Sequence, residues 1–154
     1  MKKIGIKFIL SLAMFFGCIS LFAQQTDENK NRLEMVQKIA QIQARANAGD
    51  AQAQYELGVM YRKGVIPGIF ETPDNKEASR WYAKSAQGGC VDGMVSHAGM
   101  LYYGIGAYGK DLKAAKEWYS KAAKKGSTYA VYALGKSEQE GWDGNPNDEK
   151  AFQY

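Results

Sequence analysis

From Phe8 to Phe22 the chain is almost wholly apolar, between a basic start (Lys2, Lys3, Lys7) and an abruptly polar stretch from Gln24 to Glu28. The run is shorter than the roughly 20 residues that span a bilayer, and the small Ala23 closes it. That is the pattern of a secretory signal peptide over residues 1–23, leaving no stable membrane span once it is cut. Beyond it the apolar positions take a helical period. Leu33, Val36, Ile39 and Ile42 share one broad face, so residues 24–48 read as a linker and an N-terminal capping helix. Ala53, Leu57, Met60 and Gly64 fall at i, i+4, i+7 and i+11, one stripe of a 3.6-residue period. Ala78, Tyr82 and Ser85 share a face, as do Ala115, Tyr119 and Ala122. Gly88 and Gly126 are expected to end those two helices in left-handed geometry.

These stripes repeat. Gly49-Asp-Ala-Gln-Ala53-Gln-Tyr55-Glu-Leu57-Gly58 returns as Gly126-Ser-Thr-Tyr-Ala130-Val-Tyr132-Ala-Leu134-Gly135. Ala98-Gly99-Met100-Leu101-Tyr102 matches Leu57-Gly58-Val59-Met60-Tyr61 by letter, which places one extra residue within Gly89 to His97. Lys76 to Ala86 parallels Lys113 to Ala123, and Glu149-Lys-Ala-Phe-Gln-Tyr154 begins a third copy. Trp81 to Trp118 is 37 residues and Trp118 to Tyr154 is 36, so two separate blocks keep step. Units fall at about 49–88, 89–125 and 126–154. One helix pair cannot bury its own apolar stripe, so the units must stack. Gly58, Gly99 and Gly135 are expected at close helix contacts, and Trp81 and Trp118 in the core.

The pattern Gly-x-x-x-Ala-x-Tyr-x-Leu-Gly-x-x-Tyr-x-x-Gly, followed by Lys-x-Ala-x-x-Trp-Tyr-x-x-Ala-Ala-x-x-Gly, resembles Sel1-like repeats, relatives of the tetratricopeptide class. The resemblance covers residues 44–154 and implies an all-α fold, a right-handed α-solenoid of helix-turn-helix repeats. Three departures stand out: the long first loop from Val65 to Pro73, Glu138 in place of an aromatic, and a last unit that stops at Tyr154, as a truncated array would. Some Sel1-like proteins stitch each helix pair with a disulfide and are associated with penicillin binding. The paired cysteines are absent here, so that activity is not carried over.

Charge narrows the partners. The formal charge of +4 falls to +1 without residues 1–23, which remove three lysines and no acid. A nearly neutral body has no footprint for nucleic acid. A periplasmic or secreted location in a bacterial envelope follows from the signal. A rival reading makes Cys18 a lipidated N-terminus. Otherwise Cys90 is left as the one cysteine, read as a buried, inert thiol that cannot form an internal disulfide.

No constellation of catalytic groups emerges. Gly104-Ile-Gly106-Ala-Tyr-Gly109 has the letters of a dinucleotide loop, but a helix rather than a strand precedes it, so it reads as a turn. Asp143-Gly-Asn145-Pro-Asn147 begins like a calcium loop without the glycine at the sixth place or the glutamate at the twelfth, so no metal and no cofactor is expected. Asn and Asp there are expected to cap the next helix. His97, the single histidine, reads as an exposed or packed side chain. The enzyme alternative is an envelope glycan- or peptide-acting hydrolase using Glu56, Glu138 or Glu140 as acid and base. A structural spacer within a longer array is another.

The face opposite the packing stripe of each first helix carries the candidate site. It presents Gln52, Tyr55, Val59, Arg62 and Lys63, then Ser96, Met100 and Tyr103, then Tyr129, Tyr132, Lys136, Gln139 and Glu140. Tyrosine, methionine and arginine supply interface energy at low ordering cost. The resemblance implies that this face lines a concave groove. The expected function is a non-catalytic scaffold that holds a peptide or protein segment there, with an envelope protein as partner.

Overall fold

Short polar side chains start the helices. In the computed structural model, which describes residues 25, 27–65, 72–142, 146–151 and 153, the Asp50 carboxylate accepts from the backbone N–H groups of Gln52 and Ala53 at 3.0 Å. Asp74, Asp111 and Ser127 do the same for later helices. Each satisfies donors that a first helical turn leaves unpaired. The expected signal segment 1–23 lies outside the described residues, as do residues 66–71 of the long loop and Asp143 to Asn145 of the calcium-like loop.

The chain divides into two compact units, Met1–Ile39 and Ala40–Tyr154. The described part of the first is helical, with Leu33, Met35 and Val36 exposed and Ile39 buried. The second opens with α1 (residues 40–47), where Ile42 and Ala46 are buried. Of the broad face expected over this stretch, Ile39 and Ile42 are thus covered and Leu33 and Val36 are not. Then follow α2 (Ala51–Lys63), α3 (Asn75–Gln87), α4 (Val91–Tyr103), α5 (Leu112–Lys124), α6 (Thr128–Glu140) and α7 (Asp148–Ala151). Among the described residues there is no strand. Each helix packs on the next, α2 on α3 through α6 on α7, with a further contact from α2 to α4. This is an all-α helical repeat solenoid.

The caps correct the register of the middle repeat. α2, α4 and α6 each have 13 residues, between Asp50 and Gly64, Cys90 and Gly104, and Ser127 and Gly141. The extra residue expected within Gly89 to His97 is therefore not there. A repeated hydrogen bond fixes the alignment: Asp74 N–H donates to the Tyr61 carbonyl at 2.8 Å, Asp111 to Leu101 at 2.9 Å, and Asn147 to Glu138 at 2.8 Å. Leu101 is thus the counterpart of Tyr61 and Glu138, and His97 stands where the other units have Leu57 and Leu134. His97 is buried, its ring edge-on to Trp118 at 5.5 Å and to Tyr108 at 5.4 Å.

The core corrects a second expectation. Ala78, Tyr82 and Ser85, and likewise Ala115, Tyr119 and Ala122, are buried as their spacing predicts. Trp81 and Trp118 are only half-buried. Each lies one residue round the helix, about 100° from the buried tyrosine, and is covered from outside by a lysine ammonium 4.1 Å from its ring, Lys84 and Lys121 respectively. Gly58 meets Tyr82, whose ring leaves no room for a Cβ. Gly99 is looser, since a Cβ there would reach Tyr119 Oη only at 3.6 Å.

Between repeats the left-handed residue after α3 is Gly89 (φ +89°), not Gly88, which stays helical at φ −73°. After α5 it is Gly126, as expected (φ +92°). The segment 104–109 is a turn between α4 and α5. Its Ala107 N–H donates to the buried Ser79 hydroxyl of the preceding pair at 2.9 Å.

Candidate functional site

Three clefts adjoin along one face of α2, α4 and α6. The first, about 280 Å³, is lined by Tyr55, Val59, Arg62, Lys63, Tyr82 and Ser96. The second, about 480 Å³, shares Arg62 and Ser96 with it and continues over Val95, Gly99, Met100 and Tyr103 to Tyr119 and Tyr129. The third, about 60 Å³, shares Tyr103, Tyr119 and Tyr129 with the second and ends at Tyr132, Lys136 and Trp142. The shared wall residues set the three clefts side by side, and together they form a trough-like row along this face.

The corrected register explains its periodicity. Tyr55, Val95 and Tyr132 occupy one repeat position, and Val59, Gly99 and Lys136 another; all six line the trough. Ten of the thirteen candidate residues lie in its walls: Tyr55, Val59, Arg62, Lys63, Ser96, Met100, Tyr103, Tyr129, Tyr132 and Lys136. Gln52, Gln139 and Glu140 do not. Gln52 accepts instead from the thiol of Cys90 at 3.3 Å; Cys90 is half-buried, not the buried thiol expected. Val95 and Gly99 were hidden by the letter match that displaced the middle repeat. Tyr82 and Tyr119 were legible as core residues, but not as the floor of a cleft.

The two ends of the trough differ. At the first, the Arg62 guanidinium lines the same cleft as Tyr82, whose ring lies 5.9 Å from that of Tyr55. Burial pushes both phenols above their ordinary range. Arg62 and Lys63 are exposed, and among the described residues no carboxylate pairs with either. At the far end Tyr102 stacks on Trp142 at 4.5 Å and meets Tyr103 edge-on at 4.7 Å. The Glu140 carboxylate beneath accepts from Trp142 Nε1 at 2.8 Å and from Tyr102 Oη at 3.2 Å, and pairs with Lys136 Nζ at 3.3 Å. The Trp142 N–H and then Lys136 hold its acid below the usual carboxylate range.

The carboxylates considered as acid and base do not share a cleft. Glu138 is buried and paired with Lys116 at 2.8 Å, and Glu140 is held as above. Glu56 is half-buried on α2, outside the walls of the three clefts. Asn147 Oδ1 accepts from Lys150 N–H at 2.9 Å, a helix cap rather than a metal ligand. Among the described residues no three His, Cys, Asp or Glu groups gather to hold a metal, and no helix is long and apolar enough to cross a membrane.

A family model described as Sel1 repeat matches residues 51–90, 92–127 and 128–154. Among solved structures, the chain is similar to the Sel1 repeat protein from Oxalobacter formigenes, at 30% identity and a TM-score of 0.59 over 69% of this chain and 76% of that one. It is also similar to c5321, a protective antigen of uropathogenic Escherichia coli strains with an SLR fold, at 31% identity and a TM-score of 0.61 over 69% of this chain and 22% of that one. Among curated proteins it resembles the chitin synthase regulator SKT5 of Saccharomyces cerevisiae, 32% identical over 81% of this chain and 17% of that protein. Activator of C kinase protein 1 of the same yeast is 37% identical over 56% of this chain and 14% of that protein. The chain thus spans about a sixth of the length of these relatives. They correct the expected location: both are regulatory proteins of a yeast, and neither belongs to a bacterial envelope. The periplasmic or secreted placement, with its lipoprotein variant at Cys18, is withdrawn.

Proposed function

The chain belongs to the Sel1 repeat family, whose repeats mediate protein–protein interaction, and from that premise we propose that it is a non-catalytic scaffold holding a peptide or protein segment in the trough of α2, α4 and α6. The observation that carries this reading is the row of three neighbouring clefts, with the same repeat positions of successive units forming their walls. A trough that crosses three parallel units suits an extended chain better than a compact small molecule. Its exposed tyrosines, Tyr103, Tyr129 and Tyr132, are the kind of side chain that anchors such interfaces. The curated relatives are a regulator and an activator, in keeping with a protein that acts by binding others.

The hydrolase alternative, with glutamates as acid and base, needs two carboxylates flanking one reacting bond. The trough walls offer none among the described residues. The test uses peptides selected on the immobilised chain from a random display library. Combined Arg62→Ala, Tyr103→Ala and Lys136→Ala should weaken their binding roughly tenfold or more, since truncated anchors cost over about 1 kcal/mol each. Helical content by circular dichroism should stay unchanged. Full binding by a folded triple variant would contradict the trough.

A further inference from the structure

We propose that the occupant is an acidic peptide segment that runs along the trough with its carboxylate side chains at the α2 end and an apolar or aromatic side chain between α4 and α6. This inference rests on the trough reading and adds to it the chemistry and direction of the ligand. Every charged residue in the described walls is basic: Arg62 and Lys63 at one end, Lys136 at the other. The three are not equivalent. Lys136 is neutralised by Glu140 at 3.3 Å, so the far end carries a cation already matched. Arg62 shares its cleft with the neutral phenols of Tyr55 and Tyr82, and it and the neighbouring Lys63 are exposed with no acidic partner among the described residues. Asp92, exposed on the first turn of α4, acts on the Tyr55 hydroxyl but lies outside the walls.

A ligand that covers Arg62 and Lys63 strips water from two positive charges, and it must return charge-assisted hydrogen bonds or bind weakly. Carboxylate side chains do this, and the guanidinium fork takes them in bidentate geometry. Between α4 and α6 the walls change character to Val95, Gly99, Met100, Tyr103, Tyr119 and Tyr129. That wider part of the trough, about 480 Å³, takes an apolar side chain. The rise of about 3.3 Å per residue of an extended segment lets one short peptide reach both parts.

The experiment selects a random display library in parallel on the full chain, on Arg62→Glu with Lys63→Glu, and on Arg62→Gln with Lys63→Gln. Circular dichroism checks that each variant is folded, and the glutamine pair removes charge without adding an acid at the end of α2. On the native chain, Asp and Glu should be enriched about twofold or more over the unselected library. That enrichment should vanish with the glutamine pair and turn toward Lys and Arg with the glutamate pair. A synthetic acidic peptide from the native pool should lose roughly tenfold or more in affinity with either variant, and should weaken as salt is raised. Peptides enriched without acidic bias, or with a bias that both variants keep, overturn the ligand chemistry. If such peptides still depend on Tyr103 and Tyr129, the trough reading survives alone; if they bind a folded Tyr103→Ala/Tyr129→Ala chain unchanged, the trough reading falls too. A 20-nucleotide oligo-dT that displaces the acidic peptide at lower concentration than the peptide's own unlabelled form overturns the peptide in favour of a nucleic acid.

Discussion

The ring of Tyr82 lies against the bare Cα of Gly58, so closely that a Cβ added there would stand 2.7 Å from Cδ1 and Cε1. This contact joins α2 to α3 in the first pair, and it explains why a helix interior holds a residue that costs it roughly 1 kcal/mol. Gly58→Ala is expected to destabilise the fold by about 1–3 kcal/mol, because the buried ring must move. Gly99→Ala serves as the control. Its Cβ would find Tyr119 Oη at 3.6 Å, an ordinary contact, so the helix propensity gained should leave stability unchanged or raised by up to about 1 kcal/mol. Urea unfolding of both variants checks the pair.

Acid should loosen the middle repeat. His97 fills the leucine position of its neighbours, and its Nδ1 is buried with no hydrogen-bond partner among the described residues. Burial pushes the imidazole below its ordinary value of 6.5. The unfolded chain therefore takes up the proton first as pH falls. The contribution from His97 is whole above about pH 6.5, declines below it, and levels off once the lowered folded value is passed. His97→Leu should remove this part of the acid sensitivity and raise the urea midpoint at pH 5 more than at pH 8. Equal gains at the two pH values would show that His97 does not carry it.

Glu138 tests how the third repeat fills a position that is apolar in the other two. Its counterparts are Tyr61 and Leu101; here a buried carboxylate meets Lys116 at 2.8 Å instead. Glu138→Ala removes one partner and opens a gap, and is expected to cost about 3 kcal/mol. Glu138→Leu restores the volume seen at Leu101 and should cost markedly less. Thermal unfolding of the two variants ranks them.

The repeat, its helices and the face that carries the trough were legible in the sequence because spacing records which side of a helix is covered. The register of the middle unit was not. Matching Gly99 to Gly58 satisfied the letters, whereas the caps at Cys90 and Gly104 and the bond from Asp111 to Leu101 obey backbone geometry, which a histidine in a leucine position conceals. Trp81 and Trp118 misled for a related reason: repetition marks a structural role without saying which neighbour on the helix faces inward. Tyr82 and Tyr119 carry the core, and the tryptophans make the half-covered rim. The tie of Glu140 to Trp142 was hidden because it arises only when the chain turns at Gly141.

Amide chemical-shift mapping of the isotope-labelled chain, titrated with an acidic peptide selected on it, locates the bound segment residue by residue. A segment held in the trough should give one band of shifted amides through Tyr55, Val59, Val95, Gly99, Tyr129 and Lys136, across α2, α4 and α6. Shifts confined to the outward faces of α3 and α5, around Arg80, Lys84, Glu117 and Lys121, would contradict it.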